Sequence, residues 1–292
     1  MSARSAERSA VAAMVAATLL WGGTFVAIRD SVAAVPPATL VAWRFTVAGA
    51  LFALVLLVRR KVPSRHDVTG GLLSGLLMLG GFYFQAVGLR STSAGSSAFL
   101  TCAGTLFAAF WAWPLLGQRP GARLVAGIAL ALAGSALLSL RSGLALGVGE
   151  AWTLAGAALF ALQIVAVSRF AAGADVVALV CVQSFTVAAV LLPFAGPPAA
   201  ARALLTGAGL GRFAYLAVAG STLAPLLQVR AQRTLSAGRV GLLFALEPVF
   251  ALLFALTLGG ERFAARWWLG AGLILTAVLL VEAQAESAGR EG

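Results

Sequence analysis

The amino-acid sequence predicts an all-α membrane protein with ten transmembrane helices in two inverted five-helix repeats and with both termini in the cytoplasm. Of the 292 residues, 61% are hydrophobic and 11% are charged, whereas globular proteins are about 45–50% apolar and about 25% charged. A run of about 20 apolar residues can cross the hydrocarbon core of a bilayer as a helix. Ten such runs are present, at 9–28, 38–58, 68–88, 94–116, 123–140, 150–168, 176–194, 209–229, 239–258 and 265–282.

The second observation is an internal duplication. Residues 85–137 align without a gap with residues 228–280 at a shift of 143 positions, and the first two spans of each half align at a shift of 140. The alignment predicts a first repeat at 1–143 and a second repeat at 144–292. Because five spans per repeat is an odd number, the second repeat enters the membrane from the opposite side. An apolar chain built from two copies of one unit is typical of secondary transporters, whose binding site lies between the copies.

The third observation is the distribution of basic residues, which predicts the orientation of the spans. The chain carries 21 lysines and arginines and a formal net charge of +11. With the N-terminus in the cytoplasm, thirteen basic residues fall on the cytoplasmic side and seven on the other, in agreement with the positive-inside rule. The loop at 59–65 accounts for much of this difference. The basic residues form no patch with interleaved aromatic residues, so no nucleic-acid partner is expected.

The residue types that catalysis and metal binding need are scarce in the sequence. His66 is the sole histidine and lies in the basic loop, so the sequence offers neither a histidine metal cluster nor a Ser-His-Asp triad. Cys102 and Cys181 fall inside different spans without metal-ligand spacing, and no Walker motif is present. We therefore expect no enzyme activity, no catalytic residue, no metal site and no cofactor.

One carboxylate lies well inside a predicted span, where charges are costly and are candidates for function. It is Glu247, and Pro248 beside it removes a backbone donor, which is expected to open the helix near Phe244. The first-half counterparts are Gly104 and Thr105, so a weakened helix is expected at this depth in both repeats. Paired weak points of this kind indicate a transporter's binding site. The alternative is that Glu247 braces neighbouring helices.

A buried arginine is expected in the second span. Arg44 lies about two turns into this span, so its depth is ~10 Å from the outer edge, while Glu247 lies ~12 Å from the inner edge. The two charges are then separated by about 8 Å of depth. A cavity between them matches the carboxylate and ammonium of an amino acid. The alternatives are a strained salt bridge, or a structural Arg44 bound to exposed carbonyls.

One residue near the middle of the first span of each repeat is a candidate for the cavity wall: Trp21 in the first repeat and Gln163 in the second. Trp21 precedes the flexible pair Gly22 and Gly23, and Gln163 is the second-repeat counterpart of Gly23. A tryptophan at this position either lines a cavity or anchors the helix at the lipid interface. Its distance from the start of the span favours the cavity.

The third and fourth spans supply further candidates. Tyr83 and Gln85 follow a pair of glycines, and the repeat shift places Pro225 opposite this segment, so both helices are expected to be weakened. Ser97 and Thr101 lie one turn apart on a stripe of small, partly polar side chains. Stripes of this kind also serve close helix packing, which is the alternative interpretation.

Several short motifs resemble a known family. They are Leu-Trp-Gly-Gly-Thr-Phe at 20–25, Trp-Arg-Phe at 43–45, Ser-Ala-Gly at 236–238, Leu-Glu-Pro-Val-Phe at 246–250 and Gly-Glu-Arg at 260–262. Their order and the duplication are similar to the EamA branch of the drug/metabolite transporter superfamily, over nearly the whole chain. The resemblance implies ten helices in two inverted repeats, with a central cavity formed by helices one to four and six to nine. Helices five and ten are then peripheral.

The resemblance also implies export of small metabolites, and the subgroup that we expect is the aromatic amino-acid exporters of the YddG type. The chain departs from a symmetric pattern at two positions. Gly104 stands where the second repeat has Glu247, and Gln118 stands where it has Glu261. Any coupling role is therefore expected in the second repeat alone.

These observations predict a multi-pass protein of the bacterial inner membrane that exports aromatic or neutral amino acids and related small metabolites by alternating access around a central cavity. Its partners are a small-molecule substrate and the lipid bilayer, and it is expected to be a monomer or a weak homodimer. The alternative is a proton-coupled exporter of drugs or organic cations. The predicted substrate-binding residues are Trp21, Arg44, Tyr83, Gln85, Ser97, Thr101, Gln163, Phe244 and Glu247.

Overall fold

The structure, a computed structural model, describes residues 3–139, 147–258 and 266–288. Within these ranges every regular element is a helix, and nine helical segments are long and apolar enough to cross a bilayer. In chain order the helices are α1 (Arg4–Val32), α2 (Pro37–Val58), α3 (Arg65–Gly88), α4 (Ala94–Leu116), α5 (Ala122–Ser139), α6 (Val148–Gly173), α7 (Val176–Phe194), α8 (Ala208–Ala231), α9 (Ala237–Phe254) and α10 (Arg266–Ala283). The tenth, α5, has a shorter apolar stretch than the other nine.

The predicted spans agree closely with these helices, because a bilayer of fixed thickness sets both the length and the apolar character of a spanning segment. The second span, predicted at 38–58, is observed at Pro37–Val58. The predicted repeat boundary between 143 and 144 and the motif at 260–262 lie outside the described residues.

Polar residues fix the starts of several helices. Ser93 and Ser236 occupy equivalent positions in the duplication, and each accepts a hydrogen bond from the backbone N–H three residues ahead, at the starts of α4 and α9. Ser64 begins α3 with a reciprocal capping box, and Asp175 begins α7 by accepting from two backbone N–H groups. Side-chain caps of this kind satisfy backbone donors that a helix start leaves free.

Four helices that surround the centre of the molecule are interrupted. The helix α1 is broken at Gly23, α4 at Phe107, α8 contains a π-helical segment at Leu216–Leu223, and α9 contains a 3-10 turn at Phe244–Leu246. The opening predicted near Phe244 is confirmed. In the first repeat the helix is not opened at Gly104, which is helical and packs tightly on α6. The break comes three residues later, at Phe107.

One predicted weak point is wrong. The helix α3 continues without interruption from Arg65 to Gly88, although a pair of glycines precedes Phe82. These glycines allow close packing instead: a Cβ at Gly81 would lie 2.6 Å from the ring of Phe160 in α6. Of the two equivalent helices, α3 and α8, it is α8 that changes its hydrogen-bond register at this depth.

The helices pack in pairs that position a central space. The helix α3 packs along α6 and α7, α2 packs along α7, and α1 packs along α8. The helix α5 packs mainly along α10. At one end of the bundle Arg239 of α9 donates to Glu7 of α1 at 2.5 Å and to Glu282 of α10, so three helices are joined by charge.

Candidate functional site

A central cavity lies between six helices, α1, α3, α4, α6, α8 and α9. The space between its walls, counted together with the solvent at its open side, is about 420 Å³. Six aromatic or apolar side chains form the wall together with three threonines, three glutamines and one carboxylate. The lining residues are Trp21, Thr24, Met78, Phe82, Gln85, Thr101, Thr105, Phe160, Gln163, Ile164, Gln228, Phe244 and Glu247.

The indole of Trp21 is held in the wall from two sides. Its ring stacks on Phe244 with centroids 5.2 Å apart and an interplanar angle of 21°. Its Nε1 donates to the carbonyl of Gly220 at 2.9 Å. In a π-helix a carbonyl accepts from the N–H five residues ahead, and for Gly220 that residue is Pro225, which has no N–H. The proline therefore leaves a carbonyl free for the indole.

The break in α1 is satisfied by neighbouring hydroxyl groups. The hydroxyl of Tyr215 donates to the carbonyl of Leu20 at 2.5 Å, and Oγ1 of Thr24 donates to the carbonyl of Trp21 at 2.7 Å. A Cβ at Gly23 would overlap the Tyr215 hydroxyl. Glycine at this position thus allows α8 to approach the broken part of α1. The Tyr215 hydroxyl of α8 can then fix the backbone next to Trp21.

The carboxylate of Glu247 faces the cavity without a partner. The residue is 5% exposed, and no hydrogen bond or ion pair joins it to any residue that the structure describes. It lies at the first turn of the α-helix that follows the 3-10 segment of α9. A buried carboxylate without a partner is costly in its ionised form. It is therefore suited either to hold a proton or to bind a cationic group in the cavity.

The structure places Arg44 beside the cavity, against the back of one wall residue. The guanidinium is fully buried, and its Nε donates to Oγ of Ser221 at 2.6 Å. Its central carbon lies 4.6 Å from the ring centroid of Phe82, a geometry that favours a cation–π interaction. Arg44 does not line the cavity and forms no ion pair with Glu247. The sequence predicts a cavity between Arg44 and Glu247, but in the structure Glu247 lines the cavity and Arg44 lies outside it, at the ring of Phe82.

A chain of glutamine amides runs along one side of the cavity. Gln228 donates to Oε1 of Gln163 at 3.1 Å and to Oε1 of Gln232 at 2.9 Å. In the first repeat Gln85, the counterpart of Gln228, donates to Oγ1 of Thr101 at 3.1 Å. Both members of this duplicated pair line the cavity, but they bond to different elements.

Six of the nine side chains predicted from the sequence line the cavity: Trp21, Gln85, Thr101, Gln163, Phe244 and Glu247. Tyr83 is half-buried and packs near Phe84, with ring centroids 5.9 Å apart. Ser97 is buried one turn from Thr101, and its Oγ has no partner among the described residues. Neither of these two residues lines the cavity, and neither does Arg44.

Several cavity-lining residues that were not predicted from the sequence lie on the same helix faces as predicted ones. Met78 and Phe82 precede Gln85 by seven and three positions, so the three share one face of α3. Phe160 lies three positions before Gln163 and four before Ile164, so it shares a face of α6 with each of them, and Gln228 is the repeat counterpart of Gln85. Helical periodicity and the repeat shift were therefore the signals that could have found them.

Within the residues that the structure describes, no group of three histidine, cysteine or acidic side chains could hold a metal ion.

Comparison with known proteins identifies the family. The model of the EamA-like transporter family matches the chain twice, over residues 8–140 and 147–283. The chain belongs to the EamA-like transporter family. The family and the relatives described below point to a membrane transporter, and proteins of this kind are generally not enzymes.

Relatives of the chain cover nearly its whole length. It is 29% identical over 275 residues to a protein of Escherichia coli K12 named "Uncharacterized inner membrane transporter YedA", which covers 92% of this chain and 89% of that protein. It is 29% identical over 263 residues to an "Uncharacterized transporter" of Archaeoglobus fulgidus, covering 90% and 82%. A crystal structure with 22% sequence identity covers 95% of this chain and 97% of its own, with a TM-score of 0.76. The likeness to that structure concerns the fold.

Proposed function

We propose that this EamA-family transporter exports aromatic or neutral amino acids and related small metabolites across the bacterial inner membrane, as exporters of the YddG type do. The observation that carries the proposal is the unpaired carboxylate of Glu247 in a cavity lined by aromatic rings. A substrate that fits this wall has a positively charged amine and an apolar or aromatic body.

The chemistry of the wall supports such a substrate. An ammonium group bound to Glu247 would form a charge-assisted hydrogen bond, which is stronger than a neutral one. Four rings, those of Trp21, Phe82, Phe160 and Phe244, line the remaining space. Aromatic pairs in offset or edge-to-face geometry are worth about 0.5–1.5 kcal/mol beyond the burial of their area. The wall therefore favours a flat apolar side chain over a charged one.

We also propose that the ten helices form two inverted repeats, 1–143 and 144–292, with both termini in the cytoplasm. The two separate family matches and the equivalent caps at Ser93 and Ser236 support a duplicated unit. The basic loop at 59–65 supports a cytoplasmic location for that end of α2. A reporter that is active only in the cytoplasm should be active when fused after Glu291. Activity of a periplasmic reporter at the same position would contradict this topology.

Alternating access is the proposed mechanism, and the interrupted helices provide its hinges. Four of the six helices that line the cavity, α1, α4, α8 and α9, are interrupted close to it. Transporters commonly place such broken helices at the substrate site. Rotation at these interruptions would close one side of the cavity while it opens the other, with the aromatic wall kept around the substrate.

Transport by the purified chain in liposomes tests the proposal. Vesicles preloaded with unlabelled phenylalanine should take up labelled phenylalanine in a saturable manner, and more slowly when the interior is empty. Vesicles without protein provide the control. Flux that rises without saturation and without stimulation from the opposite side would indicate a pore, and the absence of any amino-acid flux would refute the proposed substrate.

One observation favours a second candidate, a proton-coupled exporter of organic cations. Among the described residues that line the cavity, Glu247 is the one with a charged side chain, and no lysine or arginine accompanies it. A cation needs only this carboxylate. Uptake of a labelled quaternary ammonium ion driven by a pH gradient, without exchange of phenylalanine, would establish this alternative.

A further inference from the structure

The buried amide of Gln163 has one end engaged and one end free. The residue is 2% exposed and lines the cavity. Its Oε1 accepts from Gln228, whereas its Nε2 has no hydrogen-bond partner among the described residues. Buried polar groups are normally hydrogen-bonded, and an orphan in a native structure calls for an explanation. The Nε2 atom is itself buried, and its residue lines the cavity, so a partner for this N–H group would have to come from the cavity side.

The orientation of this amide is fixed by a series of hydrogen bonds. Nε2 of Gln232 donates to the carbonyl of Ile164 and to Oγ of Ser168, both at 2.7 Å, so its Oε1 faces Gln228. Gln228 then uses its Nε2 as donor to Gln232 and to Gln163. An Nε2 group has two protons, and both of those on Gln228 are engaged. Gln163 must therefore present its oxygen to Gln228 and its Nε2 away from it.

A free Nε2 selects a ligand atom of one type. The amide nitrogen is a donor without acceptor capacity, so it can bind a carboxylate or carbonyl oxygen but not an ammonium group. Glu247, on a different helix of the same cavity, has the opposite preference because an ionised carboxylate only accepts. The two side chains together distinguish the two ends of a zwitterion.

We propose that Gln163 binds the carboxylate of the substrate while Glu247 binds its ammonium group, so that the protein prefers an α-amino acid to the simple amine with the same side chain. This inference rests on the proposed function, since it assigns the second polar contact of the same cavity. It replaces Arg44, which lies behind Phe82, as the group that recognises the carboxylate.

Two ligands that differ only in the carboxylate provide the test. Phenylalanine and phenethylamine share the ring and the ammonium group, but phenethylamine has no carboxylate. In liposomes the parent protein should transport phenylalanine with the lower KM. Gln163→Leu should raise the KM for phenylalanine by about ten-fold or more, as expected for a lost hydrogen bond to a charged group. The same change should leave the KM for phenethylamine nearly unaltered.

The chain offers a matched control at Gln183. This glutamine of α7 is 1% exposed, and neither its Nε2 nor its Oε1 has a partner among the described residues, but it does not line the cavity. Gln183→Leu should therefore leave the ratio of the two KM values unchanged. A second variant, Gln163→Glu, keeps the size but adds a negative charge, so it should weaken phenylalanine further and improve phenethylamine.

The outcomes separate the two proposals. If the parent transports neither ligand, the proposed function fails and the assignment of Gln163 fails with it. If the parent transports both and Gln163→Leu changes both KM values by the same factor, Gln163 is a structural brace and the inference is overturned. Calorimetric binding of both ligands to the purified variants makes the same comparison without transport. Elution of each variant as the parent does on size exclusion excludes a folding defect.

Discussion

The two repeats place different chemistry at one equivalent position, Gly104 in α4 and Glu247 in α9. A Cβ at Gly104 would overlap the Cβ of Ala157 and lie 2.9 Å from its backbone carbonyl carbon. The first repeat therefore uses this position for close packing of α4 on α6. In the second repeat the same position carries a buried carboxylate that faces the cavity. The duplicated backbone is kept, while one copy supplies helix packing and the other supplies charge.

The third helix of each repeat shows the same divergence. Pro225 in α8 stands where α3 has Phe82, which keeps its N–H group. The helix α3 is consequently continuous, whereas α8 adopts a π-helical register that leaves the carbonyl of Gly220 to Trp21. The missing donor of Pro225 thus accompanies the open backbone of α8, while the equivalent helix of the first repeat stays closed.

Removal of the charge at Glu247 should have the largest effect. Glu247→Gln keeps the shape but cannot bind an ammonium group by charge, so transport of phenylalanine should fall about ten- to hundred-fold, since a hydrogen bond to a charged group is worth about 1.5–3 kcal/mol. Initial rates in liposomes measure this. Asp30→Asn, which removes an exposed carboxylate paired within its own helix, should have no effect. Transport equal to the parent between about pH 5 and pH 8 would make Glu247 a brace beside a proline.

Filling the equivalent position in the first repeat should affect stability instead of chemistry. Gly104→Ala forces α4 away from the backbone of Ala157, and overpacking of this kind costs about 1–3 kcal/mol. Gly272→Ala in α10 is the matched control, because a Cβ there would meet nothing within 4 Å. That control should be neutral or stabilising by about 0.4–1 kcal/mol. Thermal unfolding in detergent measures both, and equal unfolding temperatures would remove the packing role from Gly104.

The sequence was sufficient to predict the helices and about two thirds of the proposed site, for different reasons. Helix bounds follow from hydropathy and bilayer thickness, which are local properties. Tyr83 was misplaced because it is two positions from Gln85, which turns it about 200° around α3, and only Gln85 faces the cavity. The weak point in α8 follows from Pro225, but its form, a π-helical segment whose free carbonyl accepts from Trp21, depends on the packing of α8 on α1, which no local pattern encodes.

Exchange of the indole at Trp21 should have an intermediate effect. Trp21→Phe keeps an aromatic ring against Phe244 but removes the donor to Gly220, so the wall should be destabilised by about 1 kcal/mol. The KM for phenylalanine should rise accordingly. Addition of Pro225→Ala supplies a backbone N–H that can bond to the free carbonyl, and it should restore part of the lost stability. An additive double variant would show that the two residues do not share this carbonyl.

The charges that join the ends of the helices provide a last comparison between the repeats. Asp175 accepts from Nζ of Lys61 at 2.8 Å, and its repeat counterpart at a shift of 140 is Val35. In the same way, Arg239 of the ionic cluster with Glu7 and Glu282 has the neutral counterpart Ser96. Neither of these ion pairs therefore has a charged equivalent at the corresponding position of the first repeat.

The pair between Lys61 and Asp175 should give the smallest effect. The hydrogen bond from Lys61 lowers the pKa of Asp175 from its ordinary value of 3.8, so the stabilisation is complete above that value and is lost as the pH falls below it. Because the lysine side chain is 58% exposed, a double-mutant cycle with Lys61→Met and Asp175→Asn should give a coupling of only about 0.2–1 kcal/mol near neutral pH. Asparagine keeps the cap of α7, so the cycle isolates the charge.

The same cycle on Arg29 and Asp30 separates a contact between helices from a surface pair, since these two residues are adjacent in α1. Its coupling should be near zero, and about 1 M salt should reduce the coupling of Lys61 with Asp175 toward that value. If the latter coupling survives both high salt and acid, the attraction between the two charges is not what joins the loop after α2 to the start of α7. The contact would then be held by Asp67, whose carboxylate accepts from the backbone N–H of Asp175 at 2.9 Å, and Asp67→Asn would carry the larger loss of stability.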